Sequence, residues 1–229
     1  MKSLKNWFLV LSVLSCFGCS SPVHEDGRGC AFVSDSIQYR VEFMSEGCVR
    51  ILSFPEGDTL VTKRLVVDSQ KPAFKDYKWK DTGQQLIFST RELSVAFDKE
   101  DAAFTFQEVS TGKLLLKEKE AKKARHFKRS VTGGEQCLEV TQRFVPTDDE
   151  AIYGLGQYQN GIMNYRGKSV LLLQANMDIV NPFLISTNGY GILWDNYSST
   201  KFEDTKEGYS FTSEVGDASD YYFVYGKNM

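Results

Sequence analysis

The side chains that bear most directly on chemistry lie in one stretch, residues 151–186, which reads AIYGLGQYQNGIMNYRGKSVLLLQANMDIVNPFLIS. It holds four glycines, three tyrosines and several amide side chains. Amides donate and accept hydrogen bonds, but they do not serve as nucleophiles or general bases at neutral pH. The composition of this stretch therefore favours binding or a structural role over catalysis.

Paired carboxylates, which glycoside hydrolysis requires, are the first catalytic possibility elsewhere in the chain. The segment PTDDEAIYG is more typical of a polar turn before a strand, and the acid in LWDNYS lies where acids usually shape a turn. Nothing in the sequence pairs any two of the candidates, which are Asp148, Asp149, Glu150, Asp178, Asp195, Asp217 and Asp220.

Other catalytic and cofactor signatures are also missing from the sequence. No Gly-x-Ser-x-Gly elbow occurs, and only His126 lies in the part expected to fold, which leaves a serine or cysteine triad without an obvious base. The glycines of YGLGQ lack the lysine of a phosphate loop, and no βαβ pattern surrounds them. We therefore predict no catalytic residue and no cofactor in this chain.

The cysteines and histidines do not form a metal-binding pattern. No two cysteines have the spacing of a metal finger, and the only other histidine is His24, so we predict no metal site. Three cysteines remain beyond the leader, Cys30, Cys48 and Cys137, and an odd number permits at most one disulfide within the chain. A bridge between Cys30 and Cys48, on neighbouring strands, stays open.

The N-terminus, MKSLKNWFLVLSVLSCFGCSS, combines two lysines with a short apolar run and small residues, which is typical of a secretory signal. Its end, SCFGCSSP, resembles a bacterial lipoprotein signal, with Cys19 as the preferred lipidated residue and Cys16 as the alternative. An ordinary signal peptide with incidental cysteines is a third possibility. We predict a signal over residues 1–18, a tether over 19–29 and a lipid-anchored protein of the bacterial cell envelope, in the periplasm or on the outer membrane surface.

The net charge of −3 and the pI of about 5.5 argue against nucleic-acid binding. The basic segment KEKEAKKARHFKRS, residues 117–130, also contains acids and is interpreted as a solvated hairpin or loop, rather than a helix or a nucleic-acid patch. The 16 phenylalanines, 11 tyrosines and 3 tryptophans fit a β-rich core, because strands favour aromatic residues, and secondarily sugar stacking.

Short alternating segments recur from residue 31 onward, beginning with SIQYRVEFM and CVRILSF. Turn residues separate them, and no long amphipathic helix interrupts them. The pattern predicts an all-β protein, an antiparallel β-sandwich, in one domain over residues 30–229. The further predicted strands are TLVTKRLVV, QQLIFST, ELSVAFD, AFTFQEV, the segment after STGK, CLEVTQRFV, PFLIST, YGILWDN and DYYFVYG.

Four motifs in fixed order carry a resemblance to a known family: AIYGLGQYQNG, LLLQANMDIVNPFLIS, GYGILWDNYS and DYYFVYG. Together they resemble the N-terminal domain of glycoside hydrolase family 31, the α-glucosidases and α-xylosidases, most specifically over residues 143–226. Gln157 and the LLQAN run are similar to those of bacterial α-xylosidases. The resemblance implies a galactose-mutarotase-like β-sandwich that packs against a (β/α)8 barrel, in which an Asp nucleophile and an Asp general acid hydrolyse terminal α-glycosides with retention.

The resemblance also implies which part of this chain meets the substrate, an oligosaccharide with a terminal α-linked sugar. In the family a loop of the sandwich helps to close the sugar pocket, and here that loop lies around Gln174, Asn176 and Asp178, with Asn164, Tyr165 and Arg166 before it. We predict Gln174, Asn176, Asp178 and Arg166 as substrate-binding residues. The alternative for Gln174 and Asn176 is that they only satisfy backbone groups of the loop.

The barrel motif with the nucleophile is not present in these 229 residues, which are too few to hold both domains. We therefore expect the front part of an α-glycosidase, inactive alone, with a barrel in cis or encoded separately and with an exposed apolar face that meets it. One alternative is a free-standing sugar-binding lipoprotein with stacking side chains at Tyr153, Tyr158, Tyr165 and Trp194. A mutarotase-like enzyme is disfavoured, since His126 is predicted to lie in a charged loop.

Overall fold

The computed structural model describes residues 22–58, 73–119 and 126–226. These residues form strands, turns and irregular segments, and no helix occurs among them. The strands are β1 (His24–Glu25), β2 (Cys30–Ser34), β3 (Ile37–Ser45), β4 (Cys48–Pro55), β5 (Lys78–Asp81), β6 (Gln85–Ser89), β7 (Leu93–Asp98), β8 (Ala103–Glu108), β9 (Leu114–Glu118), β10 (Phe127–Thr132), β11 (Glu135–Val145), β12 (Ile152–Gln157), β13 (Ser169–Leu172), β14 (Ile179–Ser186), β15 (Tyr190–Trp194), β16 (Thr200–Thr205), β17 (Gly208–Ser213) and β18 (Ser219–Tyr225).

The described strands form two sheets in which neighbouring strands are antiparallel. The first sheet has the order β1-β2-β3-β4-β18-β15-β14-β12, and the second has the order β13-β16-β17-β11-β9-β8-β7-β6-β5, with β10 added to β11. The strands that carry the family motifs, β12, β14, β15 and β18, are consecutive in the first sheet. The fold class, an all-β antiparallel sandwich, is confirmed.

Alternation of apolar and polar side chains explains why these segments become strands. In β7, Leu93, Val95 and Phe97 are fully buried, whereas the residues between them are half-buried. Side chains of successive strand residues point to opposite faces, so such a strand turns one face to the core. Aromatic rings from both sheets meet there, as Phe106 of β8 does with Phe223 of β18 at a centroid distance of 4.2 Å.

The predicted strands agree with the structure wherever it describes them. β3, β4, β6, β7, β8, β9, β11, β14, β15 and β18 fall on predicted segments. The predicted strand TLVTKRLVV, residues 59–67, lies outside the described residues, as do the predicted signal, Cys16 and Cys19. Part of the predicted tether is ordered by sheet pairing, since His24 and Glu25 pair with Ala31 and Cys30.

The basic segment 117–130 is only partly described, because residues 120–125 lie outside the described ranges. Its two ends belong to β9 and β10, and β10 forms a hairpin with β11. His126 lies in a bend just before β10, as the loop prediction had it, but its side chain is buried rather than solvated. Burial and the charge of Arg143 lower the pKa of His126 to about 4, against a hydrogen bond with Gln142 that raises it.

Cys30, Cys48 and Cys137 are free thiols, so the open possibility of a Cys30–Cys48 bridge is not realised. β2 and β4 lie on opposite sides of β3, which explains why the two side chains do not meet. Burial raises the pKa of the Cys48 thiol to about 11. Within the described ranges, no helix is long and apolar enough to cross a membrane.

Candidate functional site

The Gly154-Leu155-Gly156 sequence forms a bulge in β12, where the register against β14 shifts. All three residues have positive φ angles, 98°, 66° and 121°. A Cβ atom on Gly154 would lie 2.5 Å from the carbonyl oxygen of Phe183, and one on Gly156 would lie 2.1 Å from that of Ile179. Only glycine fits positions with both this backbone conformation and this close approach. The two glycines of the motif are therefore required by the path of the strand.

Leu155, between the glycines, is the unusual residue of the bulge. A bulky side chain at φ 66° is strained by about 1–2 kcal/mol. Two contacts offset the strain: the side chain is fully buried, and the hydroxyl of Tyr158 donates to the Leu155 carbonyl oxygen at 3.0 Å. The bulge thus ends β12 in a fixed direction and leads the chain into the next loop.

Two loops follow from this arrangement, and we call them the first amide loop, residues 158–168, and the second amide loop, residues 173–178. They are neighbours, because Gln157 at the end of β12 pairs with Ile179 at the start of β14. The electrostatics agree with this proximity. Burial, Tyr165 and the charge of Asp178 raise the pKa of Tyr158 to about 12.

Gln174 shapes the second amide loop by hydrogen bonds to its backbone. Its side-chain nitrogen donates to the Asp178 carbonyl oxygen at 2.8 Å, and its side-chain oxygen accepts from the Val180 amide at 3.2 Å. Ala175 and Asp178 form an isolated β-bridge, which closes a tight turn. Asn176 and Met177 lie at the tip of this turn and are exposed. The backbone-satisfying alternative for Gln174 is therefore observed.

Arg166 and Asn164 use their polar groups to hold the first amide loop. The Arg166 guanidinium contacts Asp204 and two backbone carbonyl oxygens. The side-chain oxygen of Asn164 accepts from the amides of Ile152 and Arg166, both at 3.1 Å. The structure therefore places Gln174, Asn176 and Asp178 in one turn, whereas the Arg166 side chain contacts other elements. Direct contact of any of the four with substrate stays a prediction.

Exposed apolar side chains surround the amide loops. Met163 is 80% exposed, Met177 65% and Ile179 58%. Leu171, Leu173 and Ile185, from the same part of the chain, are also exposed. Other exposed apolar side chains, such as Trp79 and Val131, lie far from the motifs in sequence. A single apolar face around the motifs therefore stays a prediction.

Two of the four predicted stacking residues are buried, which corrects that prediction. Trp194 is in the core, where its indole stacks on Phe211 and donates to Ser213 Oγ at 2.9 Å. Tyr165 is also buried, with its ring edge-on to Phe202. Trp194 faces the core from β15 and Tyr165 reaches it from the first amide loop, so core packing accounts for both rings without a ligand. Tyr153 and Tyr158 are half-buried.

The sequence did not point to Asp204, which the structure places beside Arg166. The alternation in TKFEDT could have indicated its burial. Thr200, Phe202 and Asp204 share the core-facing side of β16. An acid in such a position is buried and needs a cation or several donors. Glu150, interpreted as part of a turn, does lie in one, and its side chain is also buried and accepts from Tyr190.

No group of three potential metal ligands occurs among the residues that the structure describes. A recess of about 720 Å³ lies at the end of the β10–β11 hairpin, lined by Arg129, Val131, Cys137 and Val215 among others, and it includes no residue of the amide loops.

Comparison with known proteins agrees with the fold and the motifs. Residues 38–203 match the glycosyl hydrolase 31 N-terminal galactose mutarotase-like domain, and the chain belongs to that family. An α-xylosidase from Saccharolobus solfataricus is 31% identical over 209 residues, which make up 85% of this chain and 27% of that protein. The chain is thus the family 31 N-terminal domain and resembles that of α-xylosidases.

Two solved structures extend the comparison. The α-xylosidase of this family from Xanthomonas citri has a TM-score of 0.71 and 31% identity, covering 80% of this chain and 20% of its own. A second, from a soil metagenome and complexed with xylose, has a TM-score of 0.75 at 21% identity, covering 90% of this chain and 32% of its own. The chain therefore spans about a fifth to a third of the proteins it matches. The free-standing sugar-binding lipoprotein has no support among these comparisons.

Proposed function

We propose that this chain is the pocket-capping part of an α-glycosidase that removes terminal α-linked xylose from oligosaccharides, and that its second amide loop forms one wall of the sugar pocket. The observation that supports this most is the tip of that loop. Asn176 and Asp178 are held by a turn that Gln174 stabilises, and no hydrogen bond within the described part of the chain uses the Asn176 amide or the Asp178 carboxylate. Amides and acids of this kind match the donors and acceptors of sugar hydroxyls.

The surroundings of the loop support a second body over it. The exposed apolar side chains Met163, Met177 and Ile179 adjoin the amide tip, so a docked domain would bury them while it encloses the sugar. A catalytic barrel with the Asp nucleophile and the Asp general acid is the partner that the family implies, in cis or as a separate chain. We propose xylose rather than glucose because two relatives that share 31% identity with this chain are named α-xylosidases.

Two measurements on the 229-residue chain test the proposal. We expect no hydrolysis of an aryl α-xyloside, because the family resemblance assigns the Asp nucleophile and the Asp general acid to the barrel; turnover by a pure preparation would contradict this part. We expect an α-xylosyl disaccharide to shift the amide resonances of residues 174–181 with a Kd on the order of millimolar, since one wall contributes only part of the contacts.

The specificity of that titration has to be shown by matched variants and sugars. Asn176→Ala and Asp178→Asn should weaken the response, whereas Asn188→Ala, which removes an amide bonded to the Leu115 carbonyl elsewhere, should not. Maltose should shift the same resonances less than the xyloside does. Absence of any shift with every sugar would overturn the capping role of the second amide loop.

The location of the protein is a separate proposal supported by the sequence alone. Lipid attachment at Cys19, with Cys16 as the alternative, would anchor the protein in the bacterial cell envelope. Metabolic labelling with a palmitate analogue should label the wild type and not Cys19→Ser. Labelling that is lost only in Cys16→Ser would assign the lipid to Cys16 instead. Secretion of an unlabelled chain would refute the lipid anchor.

A further inference from the structure

Arg166 lies where three segments of the chain meet. Its Nε donates to Asp204 Oδ2 of β16 at 2.9 Å, and its Nη1 donates to the carbonyl oxygens of Thr147 at 3.1 Å and Glu150 at 3.3 Å. The first amide loop, the turn before β12 and the second sheet are thus joined through one side chain. A guanidinium is suited to this because its planar donors have fixed directions.

Asp204 holds the same loop through additional hydrogen bonds. Its Oδ2 also accepts from the Gly167 amide at 2.6 Å, and its own amide donates to the Lys168 carbonyl oxygen at 2.8 Å. The side chain of Asp204 is only 1% exposed. A carboxylate this deeply buried cannot touch a sugar at the surface, although it can fix the first amide loop, which lies beside the proposed sugar-binding loop.

The turn that presents its carbonyl oxygens to Arg166 is itself braced. Glu150 Oε2 accepts from the Thr147 amide at 3.0 Å and from the Thr147 hydroxyl at 3.2 Å. Glu150 Oε1 accepts from the Tyr190 hydroxyl, which lies 3.1 Å from that of Tyr209. The acceptors of Arg166 are therefore fixed before the arginine engages them, as pre-organised binding requires.

The geometry points to Arg166 and Asp204 as a pair of positioning residues that fix the first amide loop beside the second. What the loops bind rests on the proposed function above, but the positioning itself does not. Arg166 then affects sugar binding through loop order rather than by contact. This differs from the direct contact that the family resemblance implies for Arg166.

Amide hydrogen exchange on the full chain tests the positioning role. Arg166→Met and Asp204→Ala should each speed exchange in residues 147–152 and 158–168 by about tenfold or more, with β3 and β4 unaffected, because the change opens a local unit. Lys168→Met is the matched control: it removes an exposed cation of the same loop and should change nothing. Equal acceleration in β3 and β4, or none beyond the control, would overturn the proposal.

A second-site variant distinguishes positioning from simple loss of packing. Arg166→Met leaves the buried Asp204 carboxylate without the Arg166 cation, so adding Asp204→Asn should recover part of the lost protection. Arg166→Lys should leave the two segments less protected from exchange than in the wild type. An ammonium lacks the planar fork of donors that reaches Asp204 and the two carbonyl oxygens. A double variant that exchanges faster than either single variant would contradict the pairing.

The sugar titration separates this inference from the proposed function. If both hold, Asp204→Ala weakens the α-xyloside response as much as Arg166→Met does, although Asp204 is inaccessible to the ligand. A weaker response for Arg166→Met alone, with normal loop protection, would instead assign direct contact to Arg166. If no sugar binds at all, the capping role fails while the exchange result still decides the positioning role.

Discussion

Two arginines in this protein each pair with a buried carboxylate, but they differ in burial and in their other partners. The Arg50 side chain is 1% exposed, and that of Arg166 is 25% exposed. Arg50 of β4 donates through Nε to Asp220 Oδ1 at 2.7 Å and through Nη1 to Glu42 Oε2 at 3.1 Å, and a second donor reaches Asp220 Oδ2. Its acceptors are side chains on β3 and β18, the two strands that flank β4. Arg166 has one carboxylate partner, and its other acceptors are backbone carbonyl oxygens.

The difference shows what each arginine stabilises. The strands around Arg50 already pair with one another through their backbones. The ion pairs of Arg50 are therefore not needed to position these strands, and they serve to neutralise buried charge. Apart from Asp204 of β16, the segments that Arg166 joins lie outside the sheets, where backbone groups need other partners. Removing Arg50 should therefore reduce the stability of the whole domain, whereas removing Arg166 should release one loop.

Arg50→Met should have the largest effect, a loss of about 3–5 kcal/mol in the free energy of unfolding, because it removes the buried cation that pairs with both Asp220 and Glu42. Glu42 keeps a second arginine, Arg40, at 3.3 Å. Urea unfolding at pH 7 measures it. Burial alone would lower the pKa of Arg50, but Asp220 and Glu42 raise it overall, so the side chain stays charged at any pH used.

The control for this prediction is Arg91→Met. Arg91 pairs with Glu46 at the surface with its side chain 79% exposed, and such pairs contribute about 0–1 kcal/mol. An Arg50 variant that costs no more than the Arg91 variant would remove the distinction between Arg50 and Arg166. So would an Arg50 variant that accelerates exchange only locally.

Gly156→Ala should cost somewhat less, about 2–4 kcal/mol, from backbone strain plus a clash with strand β14. The added Cβ would lie 2.1 Å from the Ile179 carbonyl oxygen. Gly161→Ala is the matched control, since Gly161 also has a positive φ, 68°, but has nothing within 4 Å of the added atom. Thermal unfolding of the two variants isolates the clash. Equal melting temperatures would show that the bulge can relax, and would weaken the view that it fixes the loops.

The strands could be predicted from the sequence and the contacts of the loops could not, for a physical reason. A period of two specifies which side of a strand is buried, so β3, β7 and β8 follow from alternation alone. Loop conformation depends on partners distant in sequence. Arg166 meets Asp204 across 38 residues and Glu150 across 16, and no local pattern encodes those contacts.

The site residues illustrate the same limit. Gln174 bonds within its own loop, so its structural alternative was visible from the sequence. Trp194 and Tyr165 were proposed as stacking platforms because aromatic residues suit both sugars and cores, and only burial separates the two roles. His126 was placed in a charged loop because its neighbours in sequence are basic, although its side chain turns inward.

Glu118 provides a third kind of buried charge, an acid without an arginine. Its Oε1 accepts from Tyr221 at 2.6 Å and from Gln142 at 2.9 Å, and its Oε2 accepts from the Phe104 amide. Burial raises the pKa of Glu118 to about 7, although the hydrogen bonds from Tyr221 and Phe104 oppose the shift. The folded state therefore keeps this proton at a pH where the unfolded chain has lost it.

The sign of the pH dependence follows from the raised pKa. Below about pH 4.5 both states are protonated and Glu118 carries no penalty; between pH 4.5 and 7 the unfolded state is favoured increasingly, by up to roughly 3 kcal/mol. We expect the unfolding free energy of Glu118→Gln to fall less between pH 5 and 8 than that of the wild type, by about 2 kcal/mol. The difference between the two proteins cancels the opposite contribution of His126, whose pKa is lowered. Parallel profiles would mean that Glu118 ionises in the fold without cost.

Asn176→Ala should have the smallest effect on stability, within about 0.5 kcal/mol, because the side chain is exposed and forms no hydrogen bond in the described part of the chain. Gln174→Ala, two residues away, should cost about 1 kcal/mol, since it removes two hydrogen bonds that close the turn.

Sugar binding should respond to both variants. A substitution that weakens sugar binding and leaves stability unchanged identifies a contact residue. A substitution that lowers both indicates that the residue acts through the turn. If Asn176→Ala lowers stability as much as Gln174→Ala does, the tip of the second amide loop is part of the fold's support, and the wall of the pocket must be sought elsewhere on the exposed surface around β14.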